Sequence, residues 1–216
     1  MFDVTRYDTF VKICGITTVE DAMMSIDAGT DAIGVILSES KRQVSLETAR
    51  SIALTVGATA VRVGVVRDAD LATLRAVLDT VPIDVVQWHG TLDDDVVRSC
   101  RQRGVGVIKA LAVGTADFID FDESRVDAVL IDGPVPGSGV AHSWAQMEGR
   151  RFTTPAIGAG GLTPTSVAAL IESSALWGVD VASGVEASPG VKDRDLVVDF
   201  IWAARTAFAN RRDSSD

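Results

Sequence analysis

The stretch VKICGITTVEDA, residues 11–22, contains the unit from which the fold is built. Aliphatic residues alternate with other side chains up to Cys14, as in a strand whose two faces meet different surroundings. Gly15 then supplies a turn, and Thr17 and Glu20 have the spacing of a capping box, which predicts a helix over the residues that follow. The stretch therefore predicts one strand and one helix, with a cysteine at the carboxyl end of the strand.

The same strand-to-helix pattern recurs along the chain. The predicted strands are short runs rich in Val and Ile and bounded by Gly, Asp or Pro, as expected of strands buried on both faces. They cover residues 9–14, 31–37, 60–66, 83–88, 105–111, 126–131, 154–159 and 178–182. Amphipathic segments follow most of them, with Ser45 and Thr163 as predicted N-caps. The pattern is weakest over 113–125, where only a short helix near 116–120 is expected, and over 141–150.

Eight strands in alternation with helices leave two architectures, an open doubly wound sheet or a closed barrel. The 216 residues provide about 27 residues per strand–helix unit, which is compact but sufficient for a barrel. No Pro- or Ser-rich linker divides the chain. The sequence therefore predicts an α/β fold, a single-domain (β/α)8 TIM barrel over residues 1–216, with its core at about 9–208 and a polar tail at 209–216.

Composition narrows the classes of function. The net charge is −10, and no segment concentrates enough Lys and Arg to follow a phosphate backbone, so we expect no nucleic-acid partner. No apolar run approaches the roughly 18 residues of a membrane span, and the N-terminus lacks the pattern of a signal peptide, so no membrane association is expected. Two cysteines, Cys14 and Cys100, are too few for a disulfide scaffold, which favours a cytoplasmic protein.

In a barrel of this kind the active site lies where the strands end, and two such exits are rich in glycine. IGAGGL follows the seventh strand and ASGVEASPG the eighth. Glycines allow a backbone to approach a phosphate closely, and free amides at a helix start supply donors. Both segments are also compatible with simple tight turns. Two of them in adjacent loops favour a phosphorylated small-molecule substrate.

Two titratable residues end strands in the same predicted barrel. Strand alternation places Lys12 and Cys14 on the inward face, with the thiol nearest the mouth. A cysteine there is either a small buried hydrophobe or, if nearby charge activates it, a base. Asp132 ends the sixth strand and is either a turn residue before Gly133 or a general acid shielded from water. Together, Cys14 and Asp132 suggest one group that takes a proton and one that gives it.

Other polar residues at the predicted mouth have weaker signals. Arg42 follows the second strand and has the fork shape that binds carboxylates, although exposed basic residues are more often only solvated. Gln87 and His89 share one face, with His89 either contacting a ligand or holding a structural hydrogen bond. No cysteine pair or histidine cluster has metal-ligand spacing, so no metal is expected. Lys109, read as an interior lysine, or Lys12 would instead support Schiff-base chemistry. A barrel lysine is more often paired with a carboxylate, and Asp180 could pair with Lys12 or Lys109.

The motifs at the strand exits resemble those of a known enzyme family. VKICGIT, SKRQVS, VRVGVV, VVQWHG, VIKAL, LIDGPVPGSG, GAGGL and VDVASGVEASPGVKD, in this order, are similar to segments of the phosphoribosylanthranilate isomerases of tryptophan biosynthesis. The resemblance covers about residues 10–208, and KICGIT together with SGVE-PG-KD is highly specific. It implies the Amadori rearrangement of N-(5-phospho-ribosyl)anthranilate to 1-(2-carboxyphenylamino)-1-deoxyribulose 5-phosphate, an aldose–ketose isomerisation by general acid–base catalysis without a cofactor. The sequence itself is compatible with a monomer or a homodimer.

The resemblance also implies roles for particular residues. Asp132 would be the general acid that protonates the furanose oxygen, and Cys14 the general base that removes the proton from C2 of the opened Schiff base. Arg42 would bind the anthranilate carboxylate. The phosphate would be bound by Gly160, Gly161, Ser183 and Gly184.

The sequence departs from the family pattern at four places. The second loop reads VILSESKR without the usual aromatic residue and proline, Trp88 replaces an aliphatic residue, and HSW at 142–144 and PGSG at 136–139 replace other common sequences. None of these changes affects Cys14 or Asp132. Two other classes therefore stay open beside an isomerase: a Schiff-base lyase or synthase, and a barrel that binds a phosphorylated ligand without turnover.

Overall fold

The computed structural model describes residues 2–133 and 151–213, and its centre is a closed barrel of eight parallel strands. The strands are β1 (Phe10–Cys14), β2 (Ala32–Ile36), β3 (Val61–Arg67), β4 (Val85–His89), β5 (Gly106–Ala112), β6 (Ala128–Asp132), β7 (Ala156–Gly158) and β8 (Gly178–Val181). Pairing of β1 with β8, from Phe10 opposite Gly178 to Ile13 opposite Val181, closes the ring. The predicted TIM barrel is confirmed, and every predicted strand is present.

Helices cover the outside of the barrel. They are α1 (Val19–Asp27), α2 (Leu46–Val56), α3 (Leu71–Thr80), α4 (Asp94–Arg101), α5 (Ala116–Asp120), α6 (Val167–Glu172) and α7 (Arg194–Asp213). A small antiparallel hairpin of β9 (Glu186–Ser188) and β10 (Val191–Lys192) lies between β8 and α7. The short helix expected near 116–120 is confirmed, whereas the segment 141–150 lies outside the described residues.

One predicted helix cap is right and two are wrong. Ser45 caps α2 by accepting a hydrogen bond from the amide of Thr48. The cap of α1 is Thr18 rather than Thr17, because the Thr17 hydroxyl instead donates to the carbonyl oxygen of Gly190. Thr163 does not cap α6, which begins only at Val167 after a turn. Where two or more hydroxyl residues are close in sequence, local spacing does not show which of them caps the helix.

The last helix extends beyond the predicted end of the core near residue 208. α7 continues to Asp213, so residues 209–213 of the predicted polar tail are helical. Arg211 explains the extension, because its guanidinium donates to three backbone carbonyl oxygens at the end of α6 and before β8. This residue fastens the end of the helix to the barrel.

Two apolar layers stabilise the fold. The barrel interior is filled by side chains at alternate strand positions, among them Phe10, Val63, Ile108 and Leu130. The opposite strand faces pack against the helices in a larger core that includes Trp88 and Cys100. Trp88 therefore points outward and packs, as predicted.

Three aspartates fasten strands together at the end of the barrel remote from the strand exits. They directly precede β2, β4 and β6, and each carboxylate accepts a hydrogen bond from a backbone amide of the preceding strand. The aspartate–amide pairs are Asp31 with Val11 (2.7 Å), Asp84 with Arg62 (2.9 Å) and Asp127 with Val107 (2.7 Å). Each carboxylate also pairs with an arginine: Arg205, Arg62 and Arg101, respectively. We call these three residues the rim aspartates.

In the described part of the chain, no helix has both the length and the apolar character needed to cross a bilayer.

Candidate active site

A cavity of about 500 Å³ opens at the carboxyl ends of the barrel strands. Its walls come from the exits of all strands except β5. Eight of the nine predicted site residues line it: Cys14, Arg42, Gln87, His89, Asp132, Gly160, Gly161 and Ser183. The barrel thus gathers residues that are far apart in sequence into one chamber.

The ninth residue, Gly184, supports the chamber from behind. A Cβ added to Gly184 would overlap the carbonyl oxygen of Leu162, so glycine is needed for the loop after β8 to touch the loop after β7. In the neighbouring loop, Gly160 and Gly161 have φ angles of 88° and 68°, which favour glycine. Two closely packed glycine loops therefore form one corner of the cavity.

Cys14 ends β1 with its side chain directed into the cavity. Its strand neighbour is Gly34 of β2, where an added Cβ would approach Cys14 Sγ to 2.9 Å and Lys12 Nζ to 3.1 Å. The thiol and the ammonium group thus lie side by side above a position that has no side chain. A residue larger than glycine at this position would force the two groups to move.

Lys12 is buried one layer below Cys14 and pairs with Asp180. The Nζ–Oδ1 distance is 2.8 Å, and the two residues are register partners on β1 and β8. Burial by itself would lower the pKa of Lys12, but the charge and hydrogen bond of Asp180, together with the neighbouring Cys14, outweigh burial and raise the pKa. Lys12 is therefore a cation beside the thiol at neutral pH.

The Cys14 thiol is protonated at neutral pH in the ligand-free protein. Burial raises its pKa, and the Asp180 carboxylate adds to this effect, whereas the Lys12 ammonium opposes it. Because burial prevails, the thiolate is the minor form. Lys12 nevertheless lies where it would compensate a negative charge on sulfur.

Asp132 ends β6 on the wall of the same cavity. The residue is 7% exposed, and its Oδ1 accepts a hydrogen bond from the amide of Gly133 at 2.8 Å. This contact fixes the carboxyl group against its own turn. The cavity therefore brings the Cys14 thiol and the Asp132 carboxyl group together from the non-neighbouring strands β1 and β6.

Gln87 and His89 form a buried polar pair on β4. Gln87 Nε2 donates to His89 Nε2 at 2.9 Å. Burial, together with the positive charges of Arg67, Lys12 and Lys109, lowers the pKa of His89 to about 3, so the ring is neutral. In the described part of the chain, the amide oxygen of Gln87 has no hydrogen-bond partner. The pair therefore retains one unused acceptor, which is buried in the cavity wall.

Arg42 is held by a carboxylate of the protein. Nε and Nη2 donate to the two oxygens of Glu186, each at 2.7 Å, and these bonds raise the pKa of Arg42. Lys192 Nζ donates to Oε1 of Glu186 at 2.9 Å. Burial opposes ionisation of Glu186, but the hydrogen bonds from Arg42 and Lys192 prevail and lower its pKa. The arginine is therefore held in one orientation beside the cavity.

Lys109 does not face the barrel interior. It lies between Ile108 and Ala110, whose side chains fill that interior, so it points toward the helices. There its Nζ donates to the carbonyl oxygen of Ala110 and pairs with Asp117 of α5 at 3.5 Å. The interpretation of Lys109 as an interior lysine is wrong, and Asp180 pairs with Lys12 instead.

The described residues include no group of three His, Cys, Asp or Glu side chains placed to hold a metal ion. The arrangement of the cavity, with a thiol, a carboxyl group, glycine loops and a fixed arginine, suits proton transfer on a phosphorylated anion.

Comparison with known proteins agrees with this arrangement. The family model of N-(5'phosphoribosyl)anthranilate (PRA) isomerase matches residues 11–203. The chain belongs to this isomerase family. One member, from Rhodopseudomonas palustris (strain HaA2), is 37% identical over 209 residues, which cover 91% of this chain and 96% of the relative.

Solved structures of the isomerase family share the fold. The phosphoribosyl anthranilate isomerase of Thermotoga maritima has a TM-score of 0.83 at 33% identity, covering 92% of this chain and 99% of the other. A further isomerase structure has a TM-score of 0.78 at 32% identity with the same coverage. That protein was crystallised in complex with reduced 1-(o-carboxyphenylamino)-1-deoxyribulose 5-phosphate.

Two residues that hold Arg42 in place were assigned no role from the sequence. Glu186 and Lys192 lie in the SGVE-PG-KD segment that marks the isomerase family, yet they were given no role there. Their partner Arg42 is 144 positions from Glu186 in sequence, so spacing gave no signal of the contact. The departing segments at 136–139 and 142–144 lie outside the described residues.

Proposed function

We propose that this chain catalyses the Amadori rearrangement of N-(5-phosphoribosyl)anthranilate, the isomerase step of tryptophan biosynthesis. The observation that carries the proposal is the single cavity in which Cys14, Asp132 and the two glycine loops meet. A phosphate at the glycine loops would leave the ribose within reach of both proton-transfer groups. Family membership and the product analogue bound by a relative support the same class of ligand.

Asp132 is the proposed general acid. Its carboxyl group would donate a proton to the furanose oxygen, so that the C1–O bond breaks and the amine nitrogen forms a Schiff base with C1. The hydrogen bond from the Gly133 amide fixes the position of the group during this step. The burial of Asp132 supports this role, because it keeps bulk water from competing for the proton.

Cys14 is the proposed general base. As a thiolate it would remove the proton from C2 of the Schiff base, which gives an enolamine that tautomerises to the ketose. The free thiol is protonated, so the reaction draws on a minor ionised form whose charge faces the Lys12 ammonium. Lys12 therefore assists the base by electrostatics.

The remaining predicted residues bind the substrate. Arg42 would hold the anthranilate carboxylate, and the neutral pair of Gln87 and His89 would hydrogen-bond the sugar. Ser183 and the glycines of the two loops would bind the phosphate. These contacts fix both ends of the substrate and leave its C1–C2 region for chemistry.

The Schiff-base lyase alternative has no comparable support. Lys109 faces the helix layer, and Lys12 has no exposed surface and is bound to Asp180. Neither amine is available to attack a carbonyl group in the cavity.

A steady-state assay of isomerisation tests the proposal. Cys14→Ala and Asp132→Asn should each lower kcat by roughly 10²–10⁴-fold, the range of a lost general base or acid. Binding of the reduced product analogue, followed by calorimetry, should persist in both variants. Cys100→Ala removes the other buried thiol, far from the cavity, and should keep normal activity. Normal turnover in either site variant would overturn the assigned roles.

A genetic test separates turnover from simple ligand binding. A tryptophan auxotroph that lacks the isomerase should grow when it expresses this chain, and failure to grow with well-expressed protein would favour a non-catalytic barrel. The proposal also treats residues 1–216 as one domain that works in the cytoplasm as a monomer or homodimer.

A further inference from the structure

The contact between Arg42 and Glu186 bears on how the substrate is recognised. Both oxygens of Glu186 accept from Arg42, and Lys192 donates to the same carboxylate and to the carbonyl oxygen of Ala182. The side chain of Glu186 is 4% exposed and that of Lys192 is 0% exposed, whereas that of Arg42 is 14% exposed. A carboxylate of the protein thus already occupies the arginine that is proposed to bind a carboxylate of the substrate.

The guanidinium group has donors left after this contact. Of its five N–H groups, Glu186 takes that of Nε and one of Nη2, which leaves two on Nη1 and one on Nη2. The free edge of Nη1 and Nη2 is itself a fork that matches a carboxylate. Arg42 lines the cavity, and Glu186 does not belong to its lining in the described part of the chain.

Displacement of Glu186 by a substrate carboxylate would be costly. Without Arg42, the buried carboxylate would lose two charge-assisted hydrogen bonds and keep only that of Lys192. The stem of Arg42 is also confined, because a Cβ at Gly15 would approach its Cδ to 2.6 Å. Glu186 and Gly15 therefore define one orientation of the guanidinium.

We propose that Glu186 is a positioning residue: it holds the Nε–Nη2 edge of Arg42 so that the Nη1–Nη2 edge receives the aromatic carboxylate of the substrate. Lys192 balances the charge of Glu186 and keeps it in place. The inference rests on the proposed function, since it concerns the carboxylate end of the same substrate. The proposal predicts that Glu186 strengthens binding of the substrate carboxylate. If Glu186 instead occupied the place of that carboxylate, the two would compete and Glu186 would weaken binding.

Two ligands and one variant test this role. The ligands are the reduced product analogue and the same molecule with hydrogen in place of the carboxylate. Glu186→Gln should raise KM, and the Kd of the first ligand, by about tenfold, with kcat changed by less than about twofold. The Kd of the second ligand should not change, which also shows that the variant is folded. A KM that falls or stays constant would overturn the proposal.

The loss of the Glu186 charge and the loss of its positioning role should change KM in opposite directions, so the two effects can be separated. Glu186→Gln removes a negative charge near an anionic substrate, which by itself would improve binding. Glu186→Asp keeps the charge but withdraws the carboxylate by one methylene, so KM should rise here too, and a normal KM in this variant would contradict positioning. Asp84→Asn is the matched control, because it disrupts a bidentate arginine pair at the opposite end of the barrel and should leave KM unchanged.

Two further results separate this inference from the proposed function. If wild-type protein fails to turn over the substrate, the proposed function is wrong and the inference falls with it. If wild type turns over and Arg42→Ala weakens only the carboxylate ligand, but Glu186→Gln binds both ligands normally, the inference alone is wrong.

Discussion

The ammonium group of Lys12 lies 2.8 Å from Oδ1 of Asp180 in the interior of the barrel, beside the Cys14 thiol. The two strands that close the barrel, β1 and β8, are thus joined by an ion pair as well as by backbone hydrogen bonds. Buried pairs of this kind matter most when one partner is removed, because the other charge is then left without compensation.

We expect Lys12→Met and Asp180→Asn each to lower the free energy of unfolding by about 3–5 kcal/mol, the usual result of breaking a buried pair. The double variant Lys12→Met/Asp180→Asn should lose clearly less than the sum, since no lone charge remains. Urea unfolding at pH 7 measures all three. Strict additivity would show that the two side chains do not stabilise each other.

The raised pKa of Cys14 predicts a slow reaction with iodoacetamide at neutral pH. Only the thiolate reacts, so in a Cys100→Ala background the alkylation rate should rise about tenfold per pH unit from about pH 7 to 9 without levelling. Lys12→Met should lower the rate further, because Lys12 opposes the upward shift. A rate that is already constant at pH 7 would mean that the thiol is ionised in the free protein.

His89 predicts a loss of stability in mild acid. The unfolded chain binds a proton at the usual pKa of about 6.5, whereas burial keeps the folded ring neutral down to about 3. The contribution of His89 to the free energy of unfolding is therefore fully present above about pH 6.5 and is lost as the pH falls further. The loss is about 2 kcal/mol at pH 5 relative to pH 8. His89→Gln should remove this part of the pH dependence. If urea unfolding gives the same pH dependence for variant and wild type, His89 is not the cause.

Gly184→Ala should separate the two glycine loops. The new Cβ would overlap the carbonyl oxygen of Leu162. Because this oxygen belongs to the backbone, the overlap can be relieved only if one of the two loops moves. We expect weaker binding of the reduced product analogue by about tenfold or more, measured by calorimetry. In Gly104→Ala an added Cβ meets nothing, so this control should bear only local backbone strain and bind normally. Equal affinity in Gly184→Ala and wild type would remove Gly184 from the proposed phosphate site.

The fold and most of the cavity follow from local patterns. Alternation along each strand and glycine at its end are short-range signals, which is why Cys14, Asp132 and the glycine loops were placed at the mouth of a barrel from sequence. Lys109 was misread because its inward or outward face depends on the register of β5. Only the neighbouring strands, far away in sequence, determine that register.

Contacts between segments that are far apart in the chain could not be predicted from the sequence. Glu186 meets Arg42 because the hairpin of β9 and β10 folds back over the loop after β2. No spacing rule connects these segments, and each residue alone has the pattern of a solvated charge. The choice of Thr18 over Thr17 as helix cap has the same origin, because the Thr17 hydroxyl donates a hydrogen bond to the carbonyl oxygen of Gly190 in that hairpin.

The rim aspartates have a consequence for how this chain can change. They secure strand pairs at the far end of the barrel, with partners that do not contribute to the cavity. These contacts between strands thus stabilise the barrel from the end opposite the cavity. Mutations that reshape the mouth for a different substrate can be offset by strengthening the other end, which makes the protein a favourable starting point for laboratory evolution.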